Sequence, residues 1–170
     1  CGICRDPARD ATSGIWTREK GSLHGAAGGA LNLPAHLTVP WRPTPDYDLS
    51  LLVIPGPGAT EILLYLNRGG RSALVSVSPG PEAEFRCGTT TSELPGGVEP
   101  GKPLTLEVKV RASGVRAALG GRELEWKTDW PESPLGKSWG PPDPTLLGLG
   151  VRAGRAEFRG FTITEYPAER

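Results

Sequence analysis

One stretch limits the fold more than any other. Leu104-Thr105-Leu106-Glu107-Val108-Lys109-Val110-Arg111 alternates apolar and polar residues without a break. Successive side chains of a β-strand point to opposite faces, so Leu104, Leu106, Val108 and Val110 share one face and Thr105, Glu107, Lys109 and Arg111 the other. A strand of this kind has one face on a core and one in water, as in an antiparallel sheet. The same period of two, or a short apolar run of strand length, recurs at Asp48–Ile54, Glu61–Leu66, Ser72–Val77 and Ala156–Tyr166. In the last of these, Phe158 is expected to anchor the core and Gly160 to mark a bulge. No window of a dozen residues carries an apolar stripe at helical spacing. Glycine (24) and proline (18) in 170 residues interrupt most candidates.

The punctuation supports consecutive strands. Val115–Leu119 follows across Ser113-Gly114, and Glu123–Trp126 follows across Gly120-Gly121, which reads as successive hairpins. Gly56-Pro57-Gly58 and Gly69-Gly70 lack the Lys-Ser/Thr and helix of a phosphate loop, and read as hairpin turns. Pro40-Trp41-Arg42-Pro43-Thr44-Pro45 is a stiff connector between strands. Trp130 to Pro144 is long, strandless and rich in Trp and Pro, the profile of a binding loop or lid. Many short antiparallel strands in 170 residues predict an all-β sandwich of two sheets with roughly five to seven strands each. The expected layout is one domain over 1–170, with its core at about 5–166 and a terminal segment at 1–4.

Nineteen basic and nineteen acidic side chains give a net charge of 0, which argues against a nucleic-acid partner. No apolar run approaches the ~18 residues that cross a bilayer, so no membrane insertion is expected of this segment.

The order of the pieces resembles a known family. Arg9-Asp10-Ala11-Thr12-Ser13-Gly14-Ile15-Trp16, then Leu37-Thr38-Val39-Pro40-Trp41-Arg42-Pro43-Thr44-Pro45-Asp46-Tyr47-Asp48, then Leu119-Gly120-Gly121-Arg122-Glu123-Leu124-Glu125-Trp126-Lys127-Thr128-Asp129, run in the order found in bacterial concanavalin A-like (laminin-G-like) sandwiches. Leu146-Leu147-Gly148-Leu149-Gly150 and the final strand look like the end of such a domain. The chain is similar, over residues 5 to 166, to the domain family named after 3-keto-disaccharide hydrolases. The resemblance implies a concanavalin A-like jelly-roll β-sandwich of two antiparallel sheets. It implies function only loosely, because one fold hosts many functions.

Glycosidases set two carboxylates across the sugar. In an active concanavalin A-like glucanase these lie on one strand as Glu-x-Asp-x-Glu, and this chain has no such run. Its nearest analogues are Asp46-Tyr47-Asp48 and Glu82-Ala83-Glu84, both expected as solvated edge or turn charges. Glu61 opens a strand and could face a concave sheet, so Glu61 and Asp48 are the weak catalytic candidates. His24 and His36 read as half-buried strand residues without partners at ligand spacing. Asp46 and Asp48 could hold a Ca²⁺ ion with backbone oxygens, although the EF-hand spacing is missing. No other cofactor is expected. Cys1-Gly-Ile-Cys4 lacks the second pair of a zinc site and the strand–helix context of a redox pair. Cys87 reads as a small core or strand residue.

Five tryptophans accompany only three tyrosines and three phenylalanines. Trp16 and Trp126 lie in strand patterns and read as core. Trp41, Trp130 and Trp139 lie in Pro-rich connectors, each either a plug under its loop or a flat platform for a sugar ring. Arg42, Asp46, Lys127, Asp129 and Lys137 stand near them to bond hydroxyls. The expected ligand-binding set is therefore Trp41, Arg42, Asp46, Asp129, Trp130 and Trp139. The leading expectation is a non-catalytic carbohydrate-binding or accessory lectin-like module of a larger or exported bacterial protein. A glycoside hydrolase acting on a (3-keto-)disaccharide is the alternative, and a structural sandwich contacting other domains of a parent chain is a third reading. An extracytoplasmic or cell-surface location, with Cys1 as a lipid attachment point, is expected alongside the competing reading of Cys1 as an excised boundary.

Overall fold

The computed structural model describes residues 6–28, 34–127, 130 and 145–167. Its elements are α1 (Pro7–Asp10), β1 (Ala11–Ser13), β2 (Ile15–Glu19), β3 (Ser22–Ala26), β4 (Ala35–Val39), β5 (Asp46–Pro55), β6 (Glu61–Arg68) and β7 (Arg71–Ser78). They continue with β8 (Glu84–Cys87), β9 (Thr90–Glu93), β10 (Leu104–Arg111), β11 (Gly114–Leu119), β12 (Arg122–Lys127), β13 (Leu147–Arg152) and β14 (Arg155–Tyr166). Two antiparallel sheets of seven strands form. The first runs β1-β4-β13-β6-β7-β8-β9 and the second β12-β11-β10-β5-β14-β3-β2. This is the all-β jelly-roll sandwich read from the alternation. The single helical turn went unread; Asp6 caps it by accepting the Arg9 N–H, with Pro7 in its first turn.

Alternation decides what each strand buries. In β10, Leu106, Val108 and Val110 turn inward while Thr105, Glu107 and Lys109 are exposed. Facing them across the sandwich are Ile62, Leu64 and Leu66 of β6 with Val75 and Val77 of β7. Trp16 and Phe158 are both core residues of the second sheet, stacked at 5.9 Å between ring centroids. The register of β14 on β5 shifts between Arg159 and Thr162, and Gly160 in that interval has φ +57°, so the expected bulge is present. The Tyr47 hydroxyl lies inside this apolar volume, where it donates to the Asn67 carbonyl at 3.0 Å and accepts from the Asn67 N–H at 3.2 Å. Burial raises its pKa far above the ordinary phenol value.

One turn assignment is corrected. Gly69-Gly70 joins the paired strands β6 and β7 as a hairpin, but Gly56-Pro57-Gly58 does not join a hairpin. It carries the chain from β5 in the second sheet to β6 in the first. Turn residues set the local bend, whereas the partner of the next strand is set by the apolar surface available to cover it.

Trp126 closes one side of the sandwich. It belongs to β12 of the second sheet, yet its ring lies against Gly88 at the end of β8 in the first. A Cβ at Gly88 would fall 2.1 Å from Trp126 Cδ2, and the residue has φ +58°. Gly88→Ala is therefore expected to destabilise the protein by about 3 kcal/mol through backbone strain and overpacking together. Urea unfolding measures it. A loss below about 1 kcal/mol would show that the indole yields to a methyl group at little cost.

Candidate functional site

Glu61 opens β6 on the outer face of the first sheet. The register sets Arg152 opposite Glu61, Gly150 opposite Leu63 and Gly148 opposite Tyr65, while Gly150 also faces His36 of β4. Two glycines in β13 thus let the His36 and Tyr65 rings approach across the intervening strand. A Cβ at Gly150 would lie 3.0 Å from His36 Cδ2, and one at Gly148 would lie 3.1 Å from Tyr65 Cδ2. The rings meet edge to face with centroids 5.4 Å apart, and the Tyr65 hydroxyl is 3.0 Å from His36 Nε2. Arg152 Nη1 is 3.4 Å from Glu61 Oε2. Burial raises the Tyr65 pKa and the nearby Glu61 charge adds to it; burial, then the Arg152 charge, lowers that of His36. Leu63 and Tyr65 are 0% and 1% exposed although both face away from the inter-sheet core.

Asp48 lies on the other side of the molecule. It projects from the outer face of the second sheet, where Arg111 Nη2 donates to its Oδ1 at 2.7 Å and the Tyr166 hydroxyl donates to its Oδ2 at 3.0 Å. The Arg111 guanidinium also sits 4.7 Å above the Tyr166 ring. The hydrogen bond to Asp48 is the main cause that raises the Tyr166 pKa. Glu61 and Asp48 thus leave opposite sheets with the apolar core between them, too far apart to bracket one glycosidic bond.

The β4–β5 connector brings three expected ligand-binding residues to one end of the sandwich. Trp41 is half-buried, edge-on to Tyr47 with centroids 6.2 Å apart. Arg42 is exposed and donates to the Thr145 hydroxyl at 2.8 Å. Asp46 accepts from Arg68 Nε at 3.2 Å and Nη2 at 3.1 Å. A Ca²⁺ ion shared by Asp46 and Asp48 would have to displace both arginines, and among the described residues no three His, Cys, Asp or Glu side chains converge. Glu84 heads β8, where Arg86 lies within 3.6 Å, and Glu82 is exposed.

Trp130 lies at the same end and is 2% exposed. Its indole N–H donates to the Arg111 carbonyl at 2.9 Å, its own carbonyl accepts from Arg71 at 2.8 Å, and its ring meets Trp126 at 6.3 Å. It pins the second sheet to the β6–β7 hairpin of the first. Trp16 and Trp126 are core, as expected. Cys87 is buried in β8 and burial pushes its thiol up to about 12, so it stays protonated at neutral pH. Asp129, Lys137, Trp139, Cys1 and Cys4 lie outside the described residues. What the sequence did not reveal is the His36–Tyr65–Glu61–Arg152 cluster. Its signal was the Gly-x-Gly of β13, which marks close approach of neighbouring side chains.

The chain matches no protein-family model and no curated protein. Its fold is similar to that of the carbohydrate binding module CBM66 from Bacillus subtilis, at a TM-score of 0.63 and 15% identity, over 92% of this chain and 96% of that one. A candidate glycosyl hydrolase from Parabacteroides distasonis aligns at a TM-score of 0.57 and 10% identity, over 89% of this chain and 83% of that one. An alginate lyase from Pseudomonas aeruginosa aligns at 0.52 and 16%, over 94% and 89%. The chain is thus a jelly-roll β-sandwich of the kind these proteins share. At such identities the likeness concerns the fold.

Two outcomes follow from this geometry. Trp130→Ala removes a buried indole and its bond to Arg111, and is expected to cost about 3–5 kcal/mol in denaturant unfolding. An exposed platform would lose almost nothing. The lowered His36 pKa means that the unfolded chain takes up this proton first. Stability tied to the neutral ring is then complete above the ordinary value of 6.5 and is lost as pH falls through the lower folded value. His36→Gln should flatten the decline of unfolding free energy between pH 7 and 5, and an unchanged slope would place the titration elsewhere.

Proposed function

We propose that this chain is a non-catalytic carbohydrate-binding module. The observation that carries the reading is the placement of Glu61 and Asp48 on opposite outer faces, each engaged by an arginine, which leaves the two candidate acids without a shared substrate. The likeness in fold to a carbohydrate binding module supports it, as does the absence of net charge, which suits a ligand rich in hydroxyls. The rim formed by the β4–β5 connector contacts the sugar. The half-buried Trp41 indole packs against a C–H face, Arg42 donates to hydroxyls, and Asp46, held by Arg68, accepts from them. Asp129 and Trp139, which lie outside the described residues, belong to the same proposed set, whereas Trp130 is buried against Trp126 and contributes through the fold.

Isothermal titration against a panel of neutral and acidic oligosaccharides tests the reading. Binding without hydrolysis is expected, with Trp41→Ala weakening the affinity about tenfold, the effect of losing an aromatic contact. Turnover of a glycoside that disappears in Glu61→Gln would instead establish a hydrolase. Failure of every saccharide to bind would remove the proposal.

A further inference from the structure

A hollow lined by both polar and apolar side chains lies away from that rim. A groove of about 500 Å³ sits on the outer face of the second sheet, near the edge strand β2. Its floor is laid out by the register. One row crosses four strands as Thr17, His24, Glu157 and Ile54, and the next along the strands is Ile15, Ala26 and Arg155. Two residues of strand rise set these rows ~7 Å apart. One is hydrogen-bonding except at Ile54, and the other is apolar except at Arg155. The wall is the Pro55–Pro57 turn with Pro100 and Gly101, joined where the Gly101 N–H donates to the Pro55 carbonyl at 2.7 Å. Gly56 lets that turn close down on β14, since a Cβ there would lie 2.6 Å from the Arg155 carbonyl oxygen.

Two features of this floor mark it as a place for a ligand. Ile15 is 65% exposed, and among the described residues only Tyr166 is another exposed large hydrophobic. Glu157 is the second feature. Its side chain is only 18% exposed, Arg159 and the Ser22 side chain hydrogen-bond its carboxylate, and the Arg159 bond chiefly lowers its pKa. It therefore stands ionised in a half-closed hollow with acceptor capacity to offer. Glu19 and Glu157 are offset by Arg155 and by the Arg159 that pairs with Glu157, so the hollow presents no excess of either sign to draw an ionic ligand. What fits is an uncharged ligand with hydroxyls on one side and C–H surface on the other.

We propose that this groove is a second saccharide subsite that takes a neutral sugar unit, with Glu157, His24 and Thr17 bonding its hydroxyls and Ile15 under its apolar face. The ligand class rests on the module reading above, whereas the site rests on the groove itself. It is separate from the Trp41 rim, for Ile54 and Asp46 lie eight residues apart on β5, or ~26 Å by strand rise.

The test is a backbone-amide NMR titration of the full chain with cellotetraose, maltotetraose and fructotetraose, and with tetragalacturonate as the anionic comparator. A neutral tetrasaccharide is expected to move the Thr17, His24 and Glu157 amides. Glu157→Gln should weaken that response about tenfold, the effect of losing a charge-assisted hydrogen bond. Thr17→Val, on an exposed edge strand where folding is insensitive to it, should weaken it as well and guards against a folding artefact. Shifts confined to the Trp41 rim would overturn the subsite and leave the module standing. No shift with any neutral sugar would overturn both. Binding of tetragalacturonate in the groove, or concentration-dependent shifts there without sugar, would also overturn it, the latter by showing a second copy of the chain as its occupant.

Discussion

Every other feature depends on one arrangement, the packing of the two inward apolar faces. Each sheet of seven strands exposes one apolar face that water would penalise by about 25 cal/mol per Å². The sheets cover each other, so Leu106, Val108 and Val110 need Ile62, Leu64 and Val75 opposite them. A one-residue slip in any strand would exchange its whole inward set for an outward one. That coupling explains why the few polar atoms inside are tightly satisfied. The Tyr47 hydroxyl, held by both backbone groups of Asn67, is the clearest case.

Closure at the margins uses different means. A sandwich leaks where its sheets diverge, and here indoles fill the gap. Trp126 crosses from the second sheet to Gly88 of the first, and Trp130 packs on Trp126 while its polar ends bond Arg111 and Arg71. An indole suits this position because its N–H can reach a backbone carbonyl while its ring stays dry.

Alternation made the strands legible. The period of two gave β10, the final strand and its bulge at Gly160, because each depends on a residue's near neighbours. Which sheet a strand joins is a non-local matter. Gly56-Pro57-Gly58 and Gly69-Gly70 look alike in sequence, yet only the second closes a hairpin. The same blindness affected the acids. Glu61 and Asp48 are thirteen positions apart, and nothing local reveals that the intervening turn crosses to the other sheet. Trp130 misleads in a further way: a Pro-rich context marks irregular backbone but not whether the indole is dry.

The two outer faces differ, and the difference bears on where a ligand can act. On the first sheet, Leu63, Tyr65, Ser72 and Ser76 are buried even though they point away from the core. Its half-buried charges, Glu61 and Arg152, lie against each other, so a sugar entering there would have to separate an ion pair already partly desolvated. On the second sheet, Glu107, Lys109, Arg116 and Thr162 remain exposed, and the hollow at its β2 edge combines polar side chains with an apolar floor. A saccharide gives up water from both its faces when it binds, so it gains most where the protein offers polar groups still accessible beside surface that water wets poorly. The exposed polar groups of the second sheet suit the proposed saccharide better than the ion pair of the first. The glycines of β13 add to this difference, since they let the His36 and Tyr65 rings meet and hydrogen-bond across the first sheet's outer face.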